Sequence, residues 1–346
     1  MEILIEIEKK FQKDLSKIYN WPLLRRLVGL SLIHTKMNIP KMSRSQLILY
    51  KIRHALSSFN GICNIFKKYE TIVFGTADGF KKIDDYYVDR FCHEIITDLG
   101  ISKTLYIENS HNYKKKKTPY KIVSYFLFRI FSSFLSVKIK ENKLLEDINI
   151  KYDLNLDFNL EEKKFVCIYN VFRLYFRLVK PKRVIVTCYS FKAIIKAAND
   201  LKIHTMEFQH GVVSNNFEYD FRFLSKNNFS PKEIFVFGVA DKKELEKFKY
   251  TEKITVVGNF FQNYVRHNFK SKNLVLEKVT ICVTLQDDCY KEVMPVISHC
   301  AILNEDVNFI ILPRNISWMC QGLGKFFFFQ TLSTIKFCKL NVNFGL

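Results

Sequence analysis

The sequence lacks the short motifs that would identify a cofactor or metal site directly. Its 346 residues contain no Gly-x-Gly-x-x-Gly or Walker sequence and no Asp-x-Asp motif, patterns that belong to phosphate-binding loops and metal-binding acidic clusters. None of the nine cysteines forms a Cys-x-x-Cys pair or has a spacing to histidine that is typical of zinc sites. We therefore expect no cofactor, no metal ion and no disulfide framework, with reduced thiols in the cytosol.

Acidic residues are scarce relative to basic ones. Lys and Arg number 54 against 34 Asp and Glu, which gives a formal net charge of +20. Such a surplus attracts nucleic acid, an acidic membrane leaflet or phosphorylated small molecules, and it does not choose among them. The basic residues are spread along the chain, and the sequence shows no pattern typical of an RNA-recognition motif, a helix-turn-helix or a zinc module. A basic nucleic-acid-binding protein is therefore kept only as an alternative.

A long apolar run is also missing. The most membrane-like stretch, IVSYFLFRIFSSFLSV at 122–137, has Arg129 in its middle and is shorter than the ~20 apolar residues of a membrane-spanning helix. Four lysines, Lys114 to Lys117, precede it. Two interpretations stay open: a core helix after a solvated loop, or an amphipathic segment in peripheral contact with an anionic membrane. Because the opening MEILIEIEKKF is acidic, unlike a signal peptide, we expect a cytoplasmic protein, at the inner face of the plasma membrane if the second interpretation holds.

The order of apolar patterns predicts an α/β fold. Residues 1–65 have apolar positions at helical spacing and predict a helical N-terminal segment. Short β-branched runs then alternate with helical patterns, as in parallel sheets. We predict two Rossmann-like domains, an acceptor-side domain at 66–225 and a donor-side domain at 226–312. The predicted strands are 71–75, 104–108, 183–188, 204–209, 233–238, 253–258, 278–285 and 307–312.

The segment 313–346 differs from the chain before it. It contains no Asp or Glu and shows neither a clear apolar period nor helix caps. An ordinary C-terminal helix or strand is one interpretation. The abrupt change in composition favours another, a slip of the reading frame near Leu312 that leaves the second domain incomplete.

Polar residues follow several predicted strands, at the carboxyl ends where parallel α/β sheets bind ligands. The segment TMEFQHGVVSNN (205–216) places Gln209, His210 and Gly211 directly after an apolar strand. An imidazole can remove a proton from a hydroxyl near neutral pH, so His210 is the strongest catalytic candidate, with a satisfied structural histidine as the alternative. Gly211 permits close backbone approach or positive φ. Glu207 should point to the opposite face of the strand from His210.

Other strand ends carry further candidates. Asp85 and Asp89, four residues apart, would share one face of a helix start, where they either contact a substrate or stabilise the helix N-terminus. Backbone amides near Gly238 and Gly258 could hold a phosphate if helices begin there, although tight turns explain the same glycines. The remaining candidates are Tyr87, Tyr189, Asn259 and Gln286.

Several segments of the sequence resemble those of bacterial GT-B glycosyltransferases that assemble surface polysaccharides such as lipopolysaccharide and capsule. The resemblance lies in the strand that runs into Gln-His-Gly at 209–211, the downstream Tyr219, the Pro-led strand SPKEIFVFG at 230–238 and KITVVGNFF at 253–261. DDYYVDRFCHEIITDL at 84–99 is similar to a first-domain loop of that family. The His-Gly pair is also similar to that of teichoic-acid glycerophosphotransferases.

The resemblance implies a transferase that moves a sugar from a nucleotide-sugar donor to a saccharide or lipid-linked acceptor. It implies His210 as general base, with Gln209 as the second catalytic residue and Gly211 shaping the site. The implied substrate-binding residues are Asp85, Tyr87, Asp89, Tyr189, Gly211 and Tyr219, and the implied donor-binding residues are Gly238, Gly258, Asn259, Gln286 and Arg314. The family's donor-binding His-Pro segment reads FIILPRNISW here and lacks the histidine, so an inactive truncated transferase is a further alternative.

Overall fold

The fold is described by a computed structural model, whose contacts divide the chain into two units, Met1–His267 and Asn268–Leu346. The residues that it describes are 2–15, 18, 21–34, 61–76, 79–83, 85–109, 117–140, 142–211, 213, 217–222, 228–268, 279–285, 290–304, 307–313 and 335–336.

A parallel sheet of seven strands forms the centre of the first unit, in the order β5-β4-β1-β6-β7-β8-β9. Strands β2 and β3 form a separate antiparallel hairpin. The strands are β1 (Thr71–Gly75), β2 (Phe80–Ile83), β3 (Tyr86–Asp89), β4 (Thr104–Glu108), β5 (Lys121–Ser124), β6 (Arg183–Val186), β7 (His204–Phe208), β8 (Glu233–Val236) and β9 (Lys253–Val256).

Helices connect the strands and precede the sheet. They are α1 (Glu2–Lys10), α2 (Gln12–Leu15), α3 (Trp21–His34), α4 (His93–Leu99), α5 (Tyr125–Ser133), α6 (Lys143–Lys151), α7 (Phe158–Val179), α8 (Lys192–Asp200), α9 (Val239–Phe248) and α10 (Phe260–Asn268). Helix α7 is capped by Asp157, which accepts a hydrogen bond from the backbone N–H of Leu160 at 2.9 Å. Within the described residues, no helix combines the length and apolar character needed to cross a bilayer.

The sheet is covered by apolar residues on both faces, which explains the continuous apolar runs of its strands. Ile72 and Phe74 of β1 pack in a cluster with residues of α5, α7 and α8. Val73, which points to the opposite face, packs with Phe80 of the hairpin and Ile96 of α4. The hairpin and α4 therefore close one face of the sheet beside its carboxyl edge.

The N-terminal helices have a core of their own. Helices α1, α3 and α6 share an apolar cluster, within which Glu8 and Arg25 form a buried ion pair. Arg25 Nε donates to Glu8 Oε1 at 2.7 Å and Arg25 Nη2 to Glu8 Oε2 at 3.0 Å. Trp21 Nε1 also donates to Glu8 Oε1, at 3.1 Å. This charged contact inside an apolar cluster fixes α1 against α3.

The second unit contains a parallel sheet, β10-β11-β12, and one long helix. Its described elements are β10 (Val279–Leu285), α11 (Tyr290–Leu303), β11 (Val307–Pro313) and β12 (Ile335–Lys336). Ile297 and Ala301 of the helix pack against Phe309. Most of the segment 313–346 lies outside the described residues, so the frame slip expected near Leu312 stays a prediction.

The predicted α/β class is confirmed, and each of the eight predicted strands is present. Two segments differ from expectation. The stretch 122–137 holds the edge strand β5 followed by α5, and residues 80–89, where a helix start was expected at Asp85 and Asp89, form the β2–β3 hairpin. Strands β8 and β9, expected in a donor-side domain, belong to the first sheet, so the units separate later than residue 225. A strand's local pattern does not reveal which sheet it joins, which is the physical reason for this difference.

Candidate functional site at the carboxyl edge of the sheet

Gln209, His210 and Gly211 lie directly beyond strand β7, at the carboxyl edge of the seven-stranded sheet. The backbone N–H of Gln209 still donates to the carbonyl of Phe235 on β8, at 2.9 Å. The hydrogen-bonded ladder thus extends one residue past β7, and His210 follows immediately. The sequence-predicted position of this histidine, at the mouth of a parallel sheet, is the one observed.

The imidazole of His210 is half-buried and lies between aromatic rings. Its centroid is 5.2 Å from the ring of Tyr189, in the β6–α8 connection, and 6.4 Å from Phe91, which it meets edge to face. Phe91 in turn stacks on Phe237, which follows β8. Residues from three connections therefore orient the imidazole, and the structure brings Tyr189 and His210 together as candidates of one site.

The side chain of Gln209 holds this segment in place through two hydrogen bonds to backbone groups. Its side chain is 2 % exposed. The amide Nε2 donates to the carbonyl of Gly211 at 2.8 Å, and Oε1 accepts from the backbone N–H of Phe237 at 2.9 Å. Both ends of the side chain are thus engaged by backbone groups on either side of His210. The catalytic assignment of Gln209 is replaced by a positioning one, because an amide occupied in this way does not face a substrate.

Gly211 follows His210 directly and lacks a side chain. The described glycines with positive φ are Gly61, Gly100 and Gly258, so of the two possibilities for Gly211, close backbone approach or positive φ, the second is not observed. A Cβ built at Gly211 meets no described atom within 4 Å. The residue is exposed, and what it contributes is the absence of a side chain next to the imidazole.

Glu207 forms its hydrogen bond on the face of the sheet opposite His210. The carboxylate is fully buried and its Oε2 accepts from the hydroxyl of Tyr250 at 2.6 Å. Tyr250 belongs to the apolar cluster that includes Val236, whereas His210 meets Phe91 of the cluster on the other face. Burial raises the pKa of Glu207 to about 7, against the opposing effects of the Tyr250 hydrogen bond and the Lys192 charge.

Tyr219 lies beneath the site and is completely buried. Its ring packs against Tyr189 at 5.3 Å and against Tyr250 at 4.9 Å. A buried ring cannot contact a substrate at the sheet edge, so its expected substrate-binding role is not supported by its position. Tyr219 instead supports Tyr189, which itself supports His210.

Buried charges hold the segment that carries Tyr219. Glu218 accepts from Arg26 Nε of α3 at 2.5 Å and lies 3.8 Å from Lys192 Nζ of α8. The side chains of Lys192 and Glu218 are only 2 % and 3 % exposed. Burial lowers the pKa of Lys192, and the charges of Glu218 and Glu207 oppose that shift. The ion pairs thus tie the wall of the site to the helices around it.

Asp89 is an internal anchor and has no exposed surface. Its Oδ1 accepts from the backbone N–H groups of Phe91 and Cys92, at 2.8 and 3.2 Å, and its Oδ2 accepts from the Tyr106 hydroxyl. The carboxylate therefore fixes the turn that presents Phe91 to His210. The substrate contact expected of Asp89 is not supported, because its oxygens are used inside the protein.

Asp85 and Asp89 do not share a helix face. Asp85 is exposed in the turn between β2 and β3, and Asp89 ends β3. Tyr87 is half-buried, and its backbone N–H donates to the carbonyl of Lys117 at 2.7 Å. The expected helix start is a β-hairpin because its alternating residues pair across two short strands.

His93 is a second imidazole at this edge, which the sequence patterns did not single out. It begins α4, is half-buried, and its Nδ1 lies 2.7 Å from the Tyr120 hydroxyl. Its ring is 5.9 Å from that of Phe260 at the start of α10. Burial lowers the pKa of His93, and the charge of Asp89 opposes that shift. The sequence near His93 shows only a histidine at a helix start. Its partners Tyr120 and Phe260 lie far along the chain, so local patterns do not reveal the site.

The candidate phosphate-binding glycines lie at the same edge but differ from one another. Gly258 has φ +77°, a conformation that favours glycine. Gly238 is extended and precedes α9, with Asp241 in the first turn, so an anion there would meet a carboxylate. The Oδ1 of Asn259 accepts from the backbone N–H of Gln262 at 3.1 Å and thereby caps α10.

Two donor-binding candidates, Gln286 and Arg314, lie outside the described residues. Where the structure is described, no group of three or more His, Cys, Asp or Glu side chains is placed to share a metal ion.

Comparisons with known proteins give distant likenesses in fold. No protein-family model matches the sequence, and no curated protein matches it. UDP-GlcNAc 2-epimerase from Neisseria meningitidis bound to UDP-GlcNAc is 11 % identical, with a TM-score of 0.42 over 77 % of this chain and 71 % of that one. Arabidopsis thaliana UGT89C1 complexed with UDP-L-rhamnose is 11 % identical, with a TM-score of 0.40 over 71 % and 65 %.

A further solved structure, a UDP-N-acetylglucosamine 2-epimerase, is 15 % identical, with a TM-score of 0.34 over 79 % of this chain and 69 % of that one. The chain thus spans about two thirds of the length of these proteins. At such levels of identity and superposition they assign neither substrate nor activity to the chain.

Proposed function

We propose that the protein is a glycosyltransferase that moves a sugar from a nucleotide-sugar donor to a saccharide or lipid-linked acceptor of a cell-surface polysaccharide. The observation that carries the proposal is the placement of His210: a half-buried imidazole at the carboxyl edge of a parallel sheet, oriented by Tyr189 and Phe91 and followed by the exposed Gly211. Such an edge is where α/β proteins bind their ligands.

In the proposed reaction His210 acts as the general base. The imidazole takes the proton of an acceptor hydroxyl while the hydroxyl oxygen forms a bond to the anomeric carbon of the donor sugar. The bond from that carbon to the phosphate oxygen breaks, and the nucleotide leaves with the bonding electron pair. Backbone amides near the Gly258 turn are proposed to stabilise the charge that develops on the leaving phosphate.

Helix α5 is proposed to bring the enzyme into contact with an anionic membrane, where a lipid-linked acceptor would lie. Phe131 near the end of α5, and Phe134 and Leu135 directly after it, are 46 %, 79 % and 39 % exposed. From Lys121 to Lys140 there are four basic residues and no acidic one. Apolar side chains beside basic ones suit the boundary of an anionic leaflet.

The proposed function is tested by incubating the purified protein with a panel of nucleotide sugars and saccharide acceptors and measuring nucleotide release. We expect His210→Ala to lower the rate by about 10²–10⁴-fold. His204→Ala is the matched control, since His204 is exposed at the opposite end of the same strand. Full activity of the His210→Ala protein would contradict the role of the base, and a panel in which no donor is consumed would contradict transfer.

A further inference from the structure

A groove between α4 and α10 lies beside His93. It encloses about 430 Å³, within the range of roughly 300–1,000 Å³ that ligand pockets occupy. Its chemically distinctive lining residues are His93, Glu94, Thr97, Asp98, Phe260 and Tyr264, all in the first unit. Phe91, two residues before His93 in the chain, meets the ring of His210 edge to face.

The hydrogen bonds around Tyr120 determine what His93 offers to the groove. The Tyr120 oxygen accepts from the backbone N–H of Asp89 at 3.2 Å and lies 2.7 Å from His93 Nδ1. Burial raises the pKa of Tyr120, so the phenol keeps its proton. If the phenol donates that proton to Nδ1, the remaining imidazole proton lies on Nε2, and His93 is then a neutral N–H donor toward a ligand.

The groove combines polar acceptors with aromatic faces. Glu94 and Asp98 are exposed and four residues apart on α4, so they share one face of the helix. Phe260 and Tyr264 are four apart on α10, with ring centroids 6.3 Å apart. Two carboxylates disfavour a phosphorylated or acidic ligand, although the protein as a whole carries a charge of +20. Aromatic rings suit the apolar face of a pyranose, and carboxylates accept from its hydroxyls.

We infer that the groove binds an unphosphorylated saccharide ring, with Phe260 and Tyr264 against its apolar face, Glu94 and Asp98 accepting from hydroxyls, and His93 donating from Nε2. The identity of this saccharide as the acceptor rests on the proposed transferase function, whereas its binding does not.

Binding is tested by nuclear magnetic resonance on protein labelled with ¹⁵N-histidine, in which His93→Gln assigns the signals of His93. The ligands, titrated up to about 10 mM, are methyl glycosides of glucose, galactose, mannose, rhamnose and N-acetylglucosamine. Glucose 6-phosphate is titrated in the same way as an anionic ligand for comparison. We expect the spectrum to report the Nε2–H tautomer, and at least one neutral glycoside to shift it saturably. Phe260→Ala and Tyr264→Ala should each weaken binding at least about tenfold.

Phe66→Ala is the matched control, because Phe66 is an exposed aromatic residue that does not line the groove. Asp98→Asn should weaken binding without removing an apolar contact, which guards against variants that merely unfold. The inference is overturned if no neutral glycoside shifts the His93 signals, if glucose 6-phosphate binds better, or if the groove variants bind like the control. Glycoside binding without any sugar transfer would instead count against the proposed function alone.

Discussion

Gln209 and Phe237 lie at the ends of adjacent strands, and the backbone N–H of Phe237 donates to Gln209 Oε1 at 2.9 Å. The same amide donates through Nε2 to the carbonyl of Gly211. One buried side chain therefore fixes the backbone on both sides of His210. A glutamine before the histidine has the length and the paired donor and acceptor that this bridge needs.

The bridge predicts that Gln209→Ala destabilises the fold and displaces His210. Loss of the side chain leaves the Phe237 N–H without its acceptor, which typically costs about 1–3 kcal/mol. Urea denaturation should show this loss, and Gln209→Glu should recover part of it because an acceptor for Phe237 remains. If Gln209→Ala abolished transfer while the nuclear magnetic resonance signals of His210 and the stability were unchanged, a direct catalytic role would replace the positioning role.

Glu207 predicts a pH dependence of stability. Its pKa is raised from 4.5 to about 7 in the folded protein, so the folded state holds the proton more tightly than the unfolded state between these values. The stabilisation is complete below pH 4.5 and is lost as the pH rises through about 7, a change on the order of 3 kcal/mol. The buried groups that face this carboxyl are Tyr250, Tyr219, Lys192 and Glu218.

Glu207→Gln should flatten the free energy of unfolding over this pH window, since the amide can accept from Tyr250 without titrating. The measurement is urea denaturation at intervals between pH 4.5 and 8. Glu246→Gln is the matched control, because it removes an exposed carboxyl from α9. Equal slopes for Glu207→Gln and the unaltered protein would show that this carboxyl does not carry the pH dependence.

Much of the sheet could be predicted from sequence, because strands such as TIVFG at 71–75 are apolar on both faces. Strand β5 is not among the predicted strands, because its four residues run directly into apolar α5. The β2–β3 hairpin includes two exposed or half-exposed lysines, so its strands lack a continuous apolar pattern. Local patterns are too similar to separate such short elements from their neighbours.

The candidate site was predictable only in part. The position of His210 follows from its place after an apolar strand. The clamp by Gln209 depends on Phe237, 28 residues later, and the orientation of His93 depends on Tyr120, 27 residues later. Such contacts arise from the order of strands in the sheet, which no local spacing records.

The buried ion pair between Glu8 and Arg25 predicts that replacing one of the two residues lowers the stability far more than replacing both. Arg25→Met leaves the Glu8 carboxylate buried with Trp21 Nε1 as a remaining donor, and breaking a buried pair in this way costs about 3–5 kcal/mol. Replacing both residues, as in Glu8→Leu with Arg25→Met, should recover much of the loss. The measurement is thermal denaturation of the unaltered protein, the Arg25→Met variant and the double variant. Lys164→Met is the control, because it breaks the exposed ion pair between Lys164 and Glu161. Similar losses for Arg25→Met and Lys164→Met would contradict the prediction.

The exposed apolar side chains at the C-terminal end of α5 predict membrane binding that depends on both apolar contact and charge. Burial of a Phe side chain contributes about 1.5–3 kcal/mol, so the Phe131→Ser and Phe134→Ser double variant should bind vesicles at least about tenfold more weakly. The measurement is co-sedimentation with vesicles that contain phosphatidylglycerol, compared with vesicles of phosphatidylcholine alone. Ile150→Ser is the matched control, since Ile150 is 80 % exposed on α6. Binding that is equal for both vesicle types, or equal for the double variant and the control, would rule out α5 as the contact, because neither the leaflet charge nor the exposed rings would then contribute.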